Sequence, residues 1–244
     1  MIQANCRNNF TMDDFQFITD TLSLDEKNKV ALTELLSDED MRDEILDHEL
    51  LFTNLLRSKG LTSVSPYLYF YILIRKAFTA YKINDRQMAD YVAAMLAEYS
   101  TTQRAFSISE DSEKQYHYLT DMLTDFNEAT TSFEAFMLQS HLGNYGLFMS
   151  GMFPDFIYRK ATYGRTAPGF DYYEKMGSSG YHWASRHKYA EKYSLVEILA
   201  QLAQDFRTIR VALNTLVDEY LSMDDKEDDM DKVLRKIFYG PPQA

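Results

Sequence analysis

The 244-residue sequence predicts an all-α fold, a compact bundle of about eight helices with one long heptad-patterned helix towards the C-terminal end. Three observations carry that prediction. Only nine Gly and five Pro punctuate the chain, too few for the turns that separate many short strands. Strict polar–apolar alternation is scarce, whereas apolar residues recur three and four apart along most of the sequence. Hydrophobic residues make up 45% of the chain, so it can bury a core despite a formal net charge of −12 and does not read as a disordered acidic chain.

Taken in order, residues 1–14 read as a polar, disordered tail, 15–239 as a single helical domain in which a seam is allowed near 100–110, and 240–244 as a second tail. The first helix is expected over 24–36, with Val30, Leu32, Leu35 and Leu36. The second starts near Ser37 or Asp38, where acidic residues favour the positive end of the helix dipole, and stops at Lys59-Gly60. Its apolar face is Ile45, Phe52, Leu55 and Leu56. Ser65-Pro66 is a sharper signal: the Ser hydroxyl accepts backbone N–H groups at an N-cap, and Pro is preorganised for the first helical position. The helix that follows is apolar all round from Tyr67 to Ile74, which predicts a central core helix.

A short helix over 85–99 follows, then a polar loop over 100–110, a helix over 112–127 and another from 132 that Pro154 ends. Residues 154–170, the one locally basic stretch with Arg159, Lys160 and Arg165, read as a long ordered loop, and a helix is expected over 171–189. Leu195, Leu199, Leu202, Phe206, Ile209, Leu213, Leu216 and Tyr220 alternate spacings of four and three, a heptad seam. That seam packs along a helix of the same chain or across a homodimer axis; both remain open at this point. The acidic stretch 224–231 leads to an amphipathic turn with Val233, Leu234, Ile237 and Phe238.

Charge and composition also bear on function. An acidic chain offers no sequence-independent attraction to nucleic acid or to an anionic membrane surface. No apolar run approaches the roughly 20 residues of a spanning helix, and no export signal is visible. The single Cys6 rules out an intrachain disulfide or a multi-cysteine metal site, which fits a soluble cytoplasmic protein.

Glycines inside helices cost about 1 kcal/mol each relative to Ala, so their placement has a reason. Gly143, Gly146 and Ser150 repeat the spacing of Gly177, Gly180 and Ala184, giving two helices a stripe with almost no side chain. Such stripes let two backbones approach closely, or make room for a flat ligand. Among the histidines, His48 shares a helical face with Glu44, and His141 shares one with Glu134. Two such pairs could hold iron in a helical bundle, although no Glu-x-x-His pair occurs. Glu113, His117 and Asp121 align on a face that reads as solvated. No Gly-x-Ser-x-Gly elbow is present, and no catalytic residue is assigned.

The segments SPYLYFYILIRKAF (65–78), LGNYGLFMSGMFPDFI (142–157) and YYEKMGSSGYHWAS (172–185) resemble a group of uncharacterised bacterial all-helical proteins with LGxYxLFxxGxFP and YYxxMGxxxY motifs. The resemblance implies a bacterial helical protein and carries over no activity. Asn144 stands where the pattern leads one to expect Asp, which removes a carboxylate role there. The shared segments imply one inter-helix surface with Tyr145, Phe148, Gly151, Phe153, Tyr173, Met176, Gly177 and Tyr181; Arg159 and Arg165 add the nearest positive charge. The function expected from all this is a non-enzymatic helical protein that binds a protein partner or a small apolar ligand and needs no cofactor. The alternative is an iron-dependent oxidoreductase with a haem-oxygenase-like fold, using Glu44, His48, Glu134 and His141.

Overall fold

The structure is a computed structural model that describes residues 1–23, 25–57, 64–100, 104–108, 114–164 and 167–221. Among the described residues it contains thirteen α-helices and no strand, so the all-α prediction holds with more and shorter helices than the expected eight. The expected stop at Lys59-Gly60, residues Glu113 and Arg165, the acidic stretch 224–231, the turn after it and the tail 240–244 lie outside the described residues. No helix among the described residues is long and apolar enough to cross a membrane. The chain divides into two compact units, with the boundary between Ala97 and Glu98, close to the seam allowed near 100–110. One is Ala4–Ala97; the other takes Met1–Gln3 together with the chain from Glu98 onwards.

The N-terminal unit corrects the reading of 1–14 as a tail. Residues Cys6–Asn9 form a 3-10 turn, with Cys6 fully buried and its Sγ donating to the Tyr67 carbonyl at 3.2 Å. Arg7 Nη1 meets both Asp43 oxygens at 2.6 and 2.7 Å, and its Nε meets Asp90 at 3.1 Å. These partners are distant in sequence, so composition near the N-terminus carries no trace of them. Thr11 then starts α1 (Met12–Leu22) with a capping box: its hydroxyl accepts from Asp14 N, and Asp14 accepts from Thr11 N at 2.7 Å.

Three short helices follow: α2 (Glu26–Leu35), α3 (Glu39–Leu46) and α4 (Glu49–Arg57). Asp25 and Asp38 cap α2 and α3 by accepting from Asn28 N and Met41 N at 2.8 and 3.0 Å. The helix predicted from Ser37 is therefore broken at Asp47-His48. Ser65 and Pro66 start α5 (Pro66–Ala80) as predicted, with the Ser65 hydroxyl accepting from Leu68 N at 3.2 Å. Asp14 accepts from Ser65 N and Oγ at 2.7 and 2.6 Å, which ties the start of α1 to the start of α5. Nine of the fifteen α5 residues are buried, Arg75 among them. The unit closes with α6 (Arg86–Tyr99), capped by Asp85 on Met88 N at 2.9 Å.

In the C-terminal unit, α7 (Leu119–Glu128) leads to α8 (Ser132–Met152), which is buried on every side and around which α7, α10 (Phe170–Ser185) and α13 (Phe206–Leu216) pack. The basic stretch expected as a loop contains α9 (Pro154–Tyr163). Pro154 ends α8 and occupies the first turn of α9, because its missing N–H is tolerated only there. The remaining helices are α11 (Lys188–Lys192) and α12 (Val196–Gln204).

The long C-terminal helix is interrupted at Asp205 into α12 and α13, and its last turn is a π-helix at Val217–Leu221. Seven of its eight seam residues, from Leu195 to Leu216, are at most 2% exposed within the single chain, and only Tyr220 is exposed. The seam is an intrachain core against α8 and α10. A homodimer through Leu195–Tyr220 would need those side chains at the surface, where only Tyr220 lies in the single chain.

Candidate functional site

The inter-helix surface predicted around the glycine stripes is a closed contact. A Cβ added to Gly146 would lie 2.9 Å from the Gly177 Cα, and one added to Gly180 would lie 2.7 Å from the Gly143 nitrogen. The stripes of α8 and α10 therefore face each other, as their spacing allows. The space above each remaining glycine is taken by a ring or a side chain: Tyr181 over Gly143, Phe206 over Gly177 and Leu213 over Gly151. Tyr145 and Tyr181 are buried, and Phe148, Tyr173 and Met176 are half-buried against the same core. Tyr181 donates to Asn144 Oδ1 at 2.9 Å, which gives Asn144 a structural use where a carboxylate was expected. Burial pushes the Tyr145 hydroxyl up to about 12, so it stays a donor, to the His117 carbonyl at 3.2 Å. Only Phe153, 44% exposed, and Arg159 of the described members of this set are open to solvent, at α9.

The four proposed metal ligands belong to different units, Glu44 and His48 to the N-terminal one and Glu134 and His141 to the C-terminal one. Glu44 and His48 are exposed, and His48 Nδ1 accepts from Leu50 N at 3.2 Å. Glu134 serves the start of α8, accepting from Thr130 N at 3.1 Å. His141 is 3% exposed and shares a 2.9 Å hydrogen bond with the Tyr99 hydroxyl. Burial first, and then the charges of Arg104 and the N-terminal amine, lower its pKa to about 3, so the ring is neutral. Its Nε2 is buried without a partner. Among the described residues no group of three or more His, Cys, Asp or Glu side chains is placed to hold a metal ion.

A different place has the shape of a ligand site. Helices α1, α2 and α3 border an open cavity of about 690 Å³, within the size range of small-molecule pockets. Its apolar lining is Met12, Phe15 and Leu36, and Gln16, Thr19, Thr33 and Ser37 add uncharged polar groups. Leu36 is 5% exposed, whereas Met12 is 82% exposed. Two cations line the same cavity. Lys29 pairs with Asp20 across the α1–α2 turn. Arg42 has only Glu39, at 3.8 Å, and that carboxylate is 89% exposed. The Arg42 Nε is buried with no hydrogen-bond partner. A buried donor left unsatisfied costs about 1–3 kcal/mol, more for a charged group.

Sequence reasoning passed over Arg42. The one available signal is that it is the only Lys or Arg between Ser37 and Glu49, a run with seven carboxylates. On a helix that acidic, a lone Arg reads as a surface ion pair until the packing of α1 onto α2 encloses it.

No protein-family model matches this chain, and neither a curated protein nor a solved structure matches it. The functional reading therefore rests on the geometry of this molecule.

Proposed function

We infer that the protein is a non-enzymatic helical binding protein for a small molecule with an apolar body and one anionic group, held in the cavity between α1, α2 and α3. The observation that carries this reading is Arg42, whose buried Nε lacks an acceptor in a cavity that Met12, Phe15 and Leu36 wall on its apolar side. An anionic group brought to Arg42 would supply a charge-assisted hydrogen bond, about twice as strong as a neutral one. The apolar body would lie against Phe15 and Leu36, and the unbranched Met12 at the surface can adjust to its shape. Because the chain carries a net charge of −12, long-range electrostatics oppose the approach of an anion, and the affinity must come from local contacts.

The test is a fluorescence titration with 1-anilinonaphthalene-8-sulfonate, which combines an apolar double ring with one sulfonate. The native protein is expected to bind it saturably at one site. Arg42→Gln should weaken binding about tenfold, the loss of one charge-assisted bond, without lowering the urea midpoint. Equal binding by the native and Arg42→Gln proteins would overturn the reading.

A further inference from the structure

A second cavity of the N-terminal unit, about 530 Å³, opens beside the α3–α4 junction, α5 and the turn into α6. Its apolar wall is Leu46, Phe52 and Ile72. The rest of the lining is rich in donors: His48, Arg75, Lys76, Thr79, Asn84 and Arg86, against only two carboxylates, Asp47 and Glu49. Those two are shared among three cations. Arg75 Nε and Nη2 donate to Asp47 at 2.8 and 2.7 Å, and Arg86 Nη2 donates to the same carboxylate at 3.1 Å. The second carboxylate near Arg86 is Asp43 at 3.5 Å, which Arg7 already occupies with both of its oxygens.

Lys76 Nζ pairs with Glu49 at 2.5 Å, and Glu49 is 64% exposed. Arg75 is 5% exposed, and its Nη1 is buried with no partner. His48 completes the set. Because its Nδ1 accepts from Leu50 N at 3.2 Å, the neutral ring carries its proton on Nε2 and is a donor there.

We propose that this cavity binds the phosphate group of a small organic phosphate. A tetrahedral phosphate with three terminal oxygens can use several donors from different directions at once, and its negative charge is drawn by the one cation by which Arg75, Lys76 and Arg86 outnumber Asp47 and Glu49. A carboxylate has one charge and two oxygens, and satisfies fewer of them. Phe52 and Ile72 give the organic part a wall to lie on. The site is separate from the cavity around Arg42, which shares no lining residue with it.

The experiment is isothermal titration calorimetry of the full chain with inorganic phosphate and with phenyl phosphate, at constant ionic strength, with acetate in parallel. Saturable one-site binding of phosphate, tighter for phenyl phosphate and absent for acetate, is expected. Lys76→Gln and Asn84→Asp, neither at a core position, should each weaken phosphate about tenfold while the urea midpoint stays in place. Arg42→Gln should leave phosphate binding unchanged. The proposal is overturned if the native protein shows no saturable phosphate binding, if acetate binds as well as phosphate, if both cavity variants bind phosphate as the native does, or if Arg42→Gln abolishes the binding.

Discussion

Replacing Gly180 by Ala tests the contact on which the C-terminal unit is built. The added methyl carbon would meet the Gly143 nitrogen at 2.7 Å, the Gln139 carbonyl oxygen at 2.8 Å and the Leu142 Cβ at 3.0 Å. Two of these are backbone atoms of α8, which cannot swing aside as the end of a flexible side chain can. The helices must separate by several tenths of an ångström, loosening Tyr181 over Gly143 and its bond to Asn144. Overpacking of this kind costs about 3 kcal/mol, the upper part of its usual range. Ala in a helix interior returns about 1 kcal/mol over Gly. The net expectation is a loss of about 2 kcal/mol, or about 4–8 °C in melting temperature for a unit of this size. Trp183, the one Trp of the sequence, lies on the same helix and stacks on Phe126, so its fluorescence in urea reports the unit directly. Gly169→Ala is the control: its added carbon would meet only the Ala161 Cβ, at 3.6 Å, and it should change stability by less than about 1 kcal/mol. A Gly180→Ala protein as stable as the native, or more so, would refute the close approach of α8 and α10.

Three other perturbations have defined outcomes. His141 has its folded pKa lowered to about 3 by burial, so only the unfolded chain takes up its proton as pH falls below about 6.5. Its contribution is therefore complete above that pH and is lost on acidification, by about 2 kcal/mol at pH 5; urea midpoints at pH 7 and pH 5 should converge for native and His141→Gln proteins, and parallel curves would contradict this. Arg210, 1% exposed, donates to Glu174 at 2.9 Å and to Asn214 at 2.7 Å, so Arg210→Leu should cost about 3 kcal/mol by stranding the carboxylate, and adding Glu174→Leu should restore much of it in the same assay. Leu202→Glu and Leu213→Glu should unfold the C-terminal unit, seen as lost helical circular dichroism; folded proteins of half the native mass in light scattering would show instead that the seam joins two chains.

What the sequence made legible was local in its physics. Ser65-Pro66 and Asp85 announce helix starts because the capping groups lie beside the amides they satisfy. The glycine spacing on α8 and α10 announces a close contact because a missing side chain has few other uses in a helix interior. What was not legible depends on partners far away in sequence. Arg7 finds Asp43 and Asp90 only after the unit folds, so residues 1–14 look like a tail until then. The break at Asp47-His48 leaves Asp47 to serve Arg75 and Arg86, neither of which is near it in sequence. Pro154 was read as an end although the same missing N–H suits a beginning. The candidate site was the least legible feature, since Arg42 gains its meaning from a cavity that three short helices make together.

The most direct measurement is the mass of the protein purified from cells, taken under native and then denaturing conditions, for the native chain and for Arg42→Gln. A ligand in the cavity of about 690 Å³ predicts one organic adduct of a few hundred daltons on the native chain, lost on denaturation and absent or strongly reduced with Arg42→Gln. A native chain that carries no adduct, or an adduct that stays equally abundant without the Arg42 guanidinium, would contradict the account.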